Sequence, residues 1–238
     1  MIQIQNLIKT FEGKEVLRRF NMNVKQGSIY GLLGANGAGK TTTFKLITGL
    51  LQPTSGTIRF HGDEIHTHNR KFLKEMGILI ETPVFYEHLS ARENLEIHLS
   101  YMECDFASID ESLAMVGLAD TGRQSVFKFS LGMKQRLAIA RAISHSPKLL
   151  VLDEPINGLD PMGIRQVREL FLMLAKDRGM TILISSHILN EIEHVADRVG
   201  VLVNGTIAKD VSISEVKNNN PNGLEDYFFN IMSGGVGK

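Results

Sequence analysis

The chain has 238 residues, with 26 Lys and Arg against 26 Asp and Glu for a formal charge of 0, and 43% of it is hydrophobic. Those values fit an ordinary globular protein and exclude disorder, collagen and coiled coil as whole-chain answers. They also argue against a partner read through its phosphate backbone, so no nucleic acid is expected.

One cysteine, Cys104, rules out an internal disulfide and suits a reducing compartment. No run approaches the roughly 18–20 apolar residues that cross a bilayer. The opening Met1-Ile2-Gln3-Ile4-Gln5-Asn6 has neither the basic flank nor the apolar core of a signal peptide. A soluble chain is therefore expected, reaching a membrane only through a partner.

In chain order, Phe20, Met22 and Val24 alternate with polar residues, the pattern of a half-buried strand. Thr57–Phe60 reads as a second strand that enters a turn at His61-Gly62-Asp63. The two predict an antiparallel sheet near the amino end. Ile29–Leu33 is an apolar strand running into a Gly-rich loop, with a helix opening near Lys40 and continuing over Phe44–Leu51. Further apolar strands are predicted at Ile78–Ile80, Leu149–Leu152, Ile182–Ile184 and Val199–Val203. Ile164, Val167, Leu170, Phe171 and Leu174 recur at helical spacing, with Gly179 as the expected C-cap. Such alternation predicts an α/β fold with a mostly parallel sheet covered on both faces.

The stretch from about Pro83 to Ser146 reads differently. Ser90-Ala91-Arg92-Glu93 and Ser108-Ile109-Asp110-Glu111 both have the capping-box pattern, and Arg136–Ile143 is a third helical segment. It is read as a helical insertion between core strands. Asn218–Gly223 is read as a polar loop. Leu224–Phe229 is read as a short amphipathic helix, either packed on the domain or free for a partner.

The chemistry concentrates in Gly34-Ala35-Asn36-Gly37-Ala38-Gly39-Lys40-Thr41-Thr42, which fits the phosphate-binding P-loop pattern with its strand and helix. Its glycines let successive N–H groups converge on an anion, beside the positive end of the helix dipole. Lys40 is the expected contact to the β- and γ-phosphates of ATP, and Thr41 the expected hydroxyl ligand of Mg²⁺. Asp153 and Glu154 end an apolar strand, where open α/β sheets bind ligands. Asp153 is the second candidate for Mg²⁺ and Glu154 the candidate general base.

This P-loop is followed in order by Phe129-Ser130-Leu131-Gly132-Met133-Lys134-Gln135-Arg136, Leu152-Asp153-Glu154-Pro155, Gly158-Leu159-Asp160-Pro161 and Ser186-His187. Together they resemble an ABC-transporter ATP-binding subunit over about residues 1 to 210. The resemblance implies a P-loop ATPase core with an amino-terminal antiparallel segment and an inserted helical subdomain. It makes residues 1–238 one ATP-binding domain, with the insertion at about 83–146 and a tail at about 211–238. It implies a head-to-tail dimer in which Ser130 and Gly132 of one copy cap the γ-phosphate held by the other. Asp160 would join the two sites, and His187 would contact the γ-phosphate and the attacking water. Phe11 stands where the family stacks an aromatic on adenine, although an aromatic in a strand is also ordinary core.

Two departures narrow the branch. Leu131 and Met133 vary the signature segment, and Glu81 stands in Ile80-Glu81-Thr82-Pro83 where the family usually carries Gln, at the loop touching Mg²⁺ and facing the membrane subunit. The signature variant resembles ATPases linked to bacitracin resistance and lantibiotic self-immunity, and the Glu resembles the lantibiotic-immunity group. That implies an ATPase at the cytoplasmic face of the cell membrane, driving peptide export through separate permease subunits. Other exporters and non-transport ABC ATPases remain the alternatives. The latter fit less well, because the stretch from Lys40 to Asp153 is too short for the long coiled coil of the DNA-repair relatives.

Overall fold

Phe20, Met22 and Val24 all point inward from β2 (Lys14–Val24), as their alternation predicts. In the computed structural model, which describes residues 1–65, 71–219 and 224–232, β2 pairs antiparallel with β1 (Ile2–Phe11). The other edge of β1 pairs with β4 (Ser55–Phe60), followed by the short β5 (Asp63–Glu64). The expected amino-terminal antiparallel sheet thus has the order β2-β1-β4-β5 among the described residues.

The second sheet contains β3 (Ile29–Leu33), β6 (Met76–Leu79), β7 (Leu149–Asp153), β8 (Thr181–Ser186), β9 (Arg198–Val203) and β10 (Thr206–Ser212). Their order is β10-β9-β3-β8-β7-β6, parallel throughout except for the last hairpin, β9–β10. Leu150 and Leu152 of β7 enter one apolar cluster, while Leu149 and Val151 enter another. Both sheet faces are therefore covered, which is why these strands read as continuous apolar runs. The β9–β10 turn is Asn204-Gly205, with φ of 49° and 81°, a tight hairpin signal.

Helix α1 (Lys40–Ile47) follows β3 and packs on the side of the antiparallel sheet. The insertion carries α2 (Ala91–Met102), α3 (Ile109–Met115) and α4 (Leu131–Ile143). Ser90 and Glu93 form the expected reciprocal cap on α2. Ser108 does not cap α3 with its side chain; its hydroxyl donates to the Ser144 carbonyl and ties α3 to the end of α4. Helix α4 begins five residues before the predicted Arg136. It lies so close to β6 that a Cβ on Gly77 would stand 2.0 Å from the Ala142 carbonyl oxygen, so only glycine fits there.

The 164–174 periodicity belongs to α5 (Pro161–Lys176), capped by Asp160 at its start and Asp177 at its end. Gly179 lies two residues beyond that C-cap, so it is not the cap the pattern predicts. After β8 comes α6 (Leu189–Ile192), and α7 (Ile213–Asn219) and α8 (Leu224–Met232) close the chain. The polar loop expected from Asn218 is helical through Asn219, and its residues 220–223 lie outside the described ones. Helix α8 packs against β9, with Phe228 fully buried. Burying one such ring contributes ~1.5–3 kcal/mol, so the tail helix is held on the domain. No helix among the described residues is long and apolar enough to cross a membrane.

Candidate functional site

Parallel strands present their carboxyl ends along one edge, and that edge gathers the loops after β3, β6, β7 and β8. After β3 the chain turns through Gly34–Gly39 into α1. Gly39 has φ of 112°, a conformation that favours glycine, and a Cβ there would also crowd the Leu17 side chain at 2.9 Å. Asn36 and Gly37 are exposed, Ala38 and Thr42 half-buried.

Lys40 folds back across this loop. Its Nζ donates to the Gly34 carbonyl at 2.7 Å and the Ala35 carbonyl at 3.3 Å, and lies 3.3 Å from Glu154 Oε1. Only 6% of Lys40 is exposed, so this charge depends on those oxygens. The neighbouring Thr41 hydroxyl donates to Asp153 Oδ2 at 2.6 Å. A hydroxyl and a carboxylate side by side are the hard oxygen donors that suit Mg²⁺.

Asp153 pairs in register with Ser185 of β8. The Ser185 hydroxyl donates to Asp153 Oδ1 and accepts the Glu154 N–H at 3.0 Å. Glu154 itself has φ of 49°, a left-handed turn off the strand that is uncommon for a residue with a side chain. His187 Nδ1–H donates to Glu154 Oε2 at 2.9 Å. That bond leaves Nε2 as the free ring nitrogen. Lys40, Thr41, Asp153, Glu154 and His187 are thus brought together at one strand-end edge.

Glu81 stands nearby but is engaged elsewhere. It lines a cavity of about 490 Å³ with Thr41, Asp153, Glu154, Leu131 and Gln135, while its carboxylate forms an ion pair with Lys45 of α1. Lys45, which no motif singles out, thus supplies a countercharge to the carboxylate that Glu81 adds beside Asp153 and Glu154. Leu131 and Gln135, from the first turns of α4, reach this cavity too, and Gln135 donates to the Pro155 carbonyl at 2.7 Å.

Ser130 and Asp160 cap the starts of α4 and α5, accepting N–H groups from Met133 and Gly163. Gly132 faces the Gly158 carbonyl across the gap between the helices. These three form one surface, and no hydrogen bond among the described residues joins them to the P-loop within the chain. A second cavity of about 590 Å³ lies beyond the P-loop, lined by Lys14, Val16, Asn36, Gly37, Ala38 and Asn204 among others. Phe11 is not part of its lining; its ring is half-exposed beneath the Lys9 ammonium, 4.7 Å from the ring centre.

A glycine-lined anion cradle with a buried lysine, opening beside paired carboxylates at the mouth of a parallel sheet, defines a P-loop ATPase. A family profile described as ABC transporter matches residues 17–157, and the chain belongs to that family. It is an ATP-binding, ATP-hydrolysing cassette. The chain is 46% identical over 226 residues to the bacitracin transport ATP-binding protein BcrA of Bacillus licheniformis, covering 94% of this chain and 74% of BcrA. It is 44% identical over 230 residues to the lantibiotic transport ATP-binding protein SrtF of Streptococcus pyogenes, covering 97% and 96%. Its fold is similar to a solved ATP-binding subunit of an ABC transporter, with a TM-score of 0.85, 29% identity and coverage of 98% and 99%.

Proposed function

We propose that this ATPase drives export of an antimicrobial peptide, of the bacitracin or lantibiotic kind, through separate permease subunits at the cytoplasmic face of the membrane. The cargo reading is carried by the similarity, over nearly all of this chain, to BcrA and SrtF, both named for peptide-antibiotic transport. Residues 1–238 act as one ATP-binding domain in this reading.

Each site residue then has a task. Backbone N–H groups from Gly34 to Thr42, with Lys40, bind the β- and γ-phosphates. Thr41 and Asp153 hold Mg²⁺, with Glu81 as an outer candidate; the ion, when bound, offsets negative charge on the phosphates. Glu154 accepts the proton of the attacking water, oriented by His187 at its Oε2. Ser130, Gly132 and Asp160 present the α4–α5 surface to a second copy of the chain, completing its site. The Lys14–Val16 cavity takes the base and sugar, with Phe11 at its margin.

The test is to purify the chain from membranes with its permease subunits and compare cells with and without the complex. Loss of protection against bacitracin or a lantibiotic is the expected result. Unchanged sensitivity to both, with ATP turnover intact, would assign the complex another cargo.

A further inference from the structure

Ser185 is fully buried at the end of β8, and its hydroxyl makes two bonds to consecutive residues of the neighbouring strand. The one hydroxyl proton goes to Asp153 Oδ1. A lone pair receives the Glu154 N–H at 3.0 Å. We propose that Ser185 is a positioning residue for ATP hydrolysis, locking the metal-binding carboxylate and the peptide that carries the base into one unit.

The argument starts from the Asp153 carboxylate. Thr41 of α1 donates to Oδ2 at 2.6 Å, and Ser185 donates to Oδ1 from the opposite side. With each oxygen held from a different element, the carboxylate plane cannot turn, so its remaining lone pairs face a fixed direction. If Ser185 lost its hydroxyl, Asp153 would hang on Thr41 alone.

The second bond does different work. Glu154 leaves the strand in a left-handed conformation, φ 49°, and its N–H finds its acceptor in a side chain, not in a strand carbonyl. Such a conformation persists only where its surroundings hold it. Two residues further along, His187 holds the Glu154 carboxylate at 2.9 Å. Ser185 and His187 therefore clasp Glu154 at its main chain and its side chain from one strand end. An alanine at 185 would preserve the strand and nearly all the packing while releasing both Asp153 and the Glu154 peptide.

This inference rests on Asp153 holding the metal and Glu154 serving as base, and the experiment separates the two. Mn²⁺ stands in for Mg²⁺, and its binding to the full chain with a non-hydrolysed ATP analogue is followed by electron paramagnetic resonance. Ser185→Ala should weaken Mn²⁺ binding about tenfold, the ordinary scale for an outer-shell partner of a metal ligand. It should leave metal-free nucleotide affinity within about twofold. The kcat at saturating ATP and Mg²⁺ should fall by at least about tenfold, because the metal-binding carboxylate and the peptide carrying the base are both released. Asp153→Asn is the reference and should lose Mn²⁺ binding outright. If Asp153→Asn loses the metal and Ser185→Ala binds it like the parent, the role given to Ser185 is wrong. If both bind it like the parent, the assignment of Asp153 is wrong and the inference goes with it. A parallel loss of metal-free nucleotide binding in Ser185→Ala would make the residue merely structural and overturn the proposal.

Discussion

Lys40 opens α1 and Glu154 follows β7, yet their charged atoms lie 3.3 Å apart, with side-chain exposures of 7% and 19%. Partial burial strengthens the attraction, and it also makes each charge costly to leave alone. The pair joins the P-loop to the turn after β7, so the cation proposed to meet phosphate and the carboxylate proposed as base are held in one polar network. His187 extends that network by holding the other Glu154 oxygen.

Replacing Lys40 with Ala removes the donor shared by the Gly34 and Ala35 carbonyls and leaves Glu154 to His187 alone. ATP affinity, measured by equilibrium titration, should fall at least about tenfold, or roughly 1.4 kcal/mol. Unchanged affinity would contradict the phosphate-binding role of this loop.

Glu154→Gln keeps the side-chain shape and removes a proton acceptor. Nucleotide binding should persist, hydrolysis should fall by about two orders of magnitude or more, and an ATP-bound dimer should accumulate. Gel filtration with ATP and a turnover assay check both parts. Persistent turnover would remove Glu154 from the role of base.

The P-loop was legible because Gly34 to Thr42 is one continuous segment whose glycines and lysine need no distant partner to be recognised. Asp153 and Glu154 were legible because they stand where an apolar strand runs out and a P-loop precedes them, and His187 only because it closes the ordered series of motifs that resembles the family. Ser185 was not, since a serine inside an apolar run gains meaning only from its register with Asp153. Lys45 was hidden for the same reason, its partner lying across the sheet edge on another loop. The β9–β10 hairpin is different, because Asn204-Gly205 between two strands is a local turn signal that needs no distant partner. Ser108 shows the opposite error, a local capping motif overridden by a tertiary acceptor, the Ser144 carbonyl.

A pH-dependent stability is built into the contact between α2 and the end of α4. His145 Nε2–H donates to the Met76 carbonyl at 3.0 Å, which leaves Nδ1 to accept from His98 Nε2–H at 3.4 Å. Burial, then the neighbouring His145 and Arg141, lowers the His98 pKa to about 4. Burial also lowers that of His145, against the Met76 bond. Unfolded histidine titrates near 6.5, so on acidification the unfolded chain takes up protons that the folded chain refuses. Stability should therefore be intact above about pH 7 and fall steadily toward about pH 4. After a discount for partial exposure, His98 accounts for on the order of 2 kcal/mol of that fall. Urea midpoints at about pH 7 and about pH 5 should differ less for His98→Leu than for the parent chain. Equal differences would show that His98 is not the group responsible.

Glu81 is where the nucleotide cavity meets the exposed face of the domain. Its backbone is left-handed, φ 63°, and its carboxylate pairs with Lys45, the two side chains being 63% and 29% exposed. An exposed pair of this kind contributes no more than about 1 kcal/mol, so it orients the loop without fixing it. Just beyond, Val84 and Tyr86 stand exposed, while the Arg141 guanidinium donates to the Val84 carbonyl at 3.0 Å and lies 4.9 Å from the Phe85 ring centre. Arg141 belongs to α4, so the loop that begins at Glu81 is tied to the helix that Ser130 caps. Such a loop suits contact with a membrane subunit, because it presents apolar side chains outward beside a carboxylate at the cavity rim. Glu81→Ala should therefore reduce peptide protection in cells by about tenfold or more while changing ATP affinity of the isolated subunit less than about threefold, a margin near 0.7 kcal/mol. Glu81→Gln should retain substantial hydrolysis, because its carbonyl still offers an oxygen toward Mg²⁺ and its lost ion pair was weak. Protection, ATP binding and hydrolysis need to be measured for both variants in the intact complex. Full protection by Glu81→Ala would end the coupling role, and a large loss of ATP binding would move Glu81 into the nucleotide pocket itself.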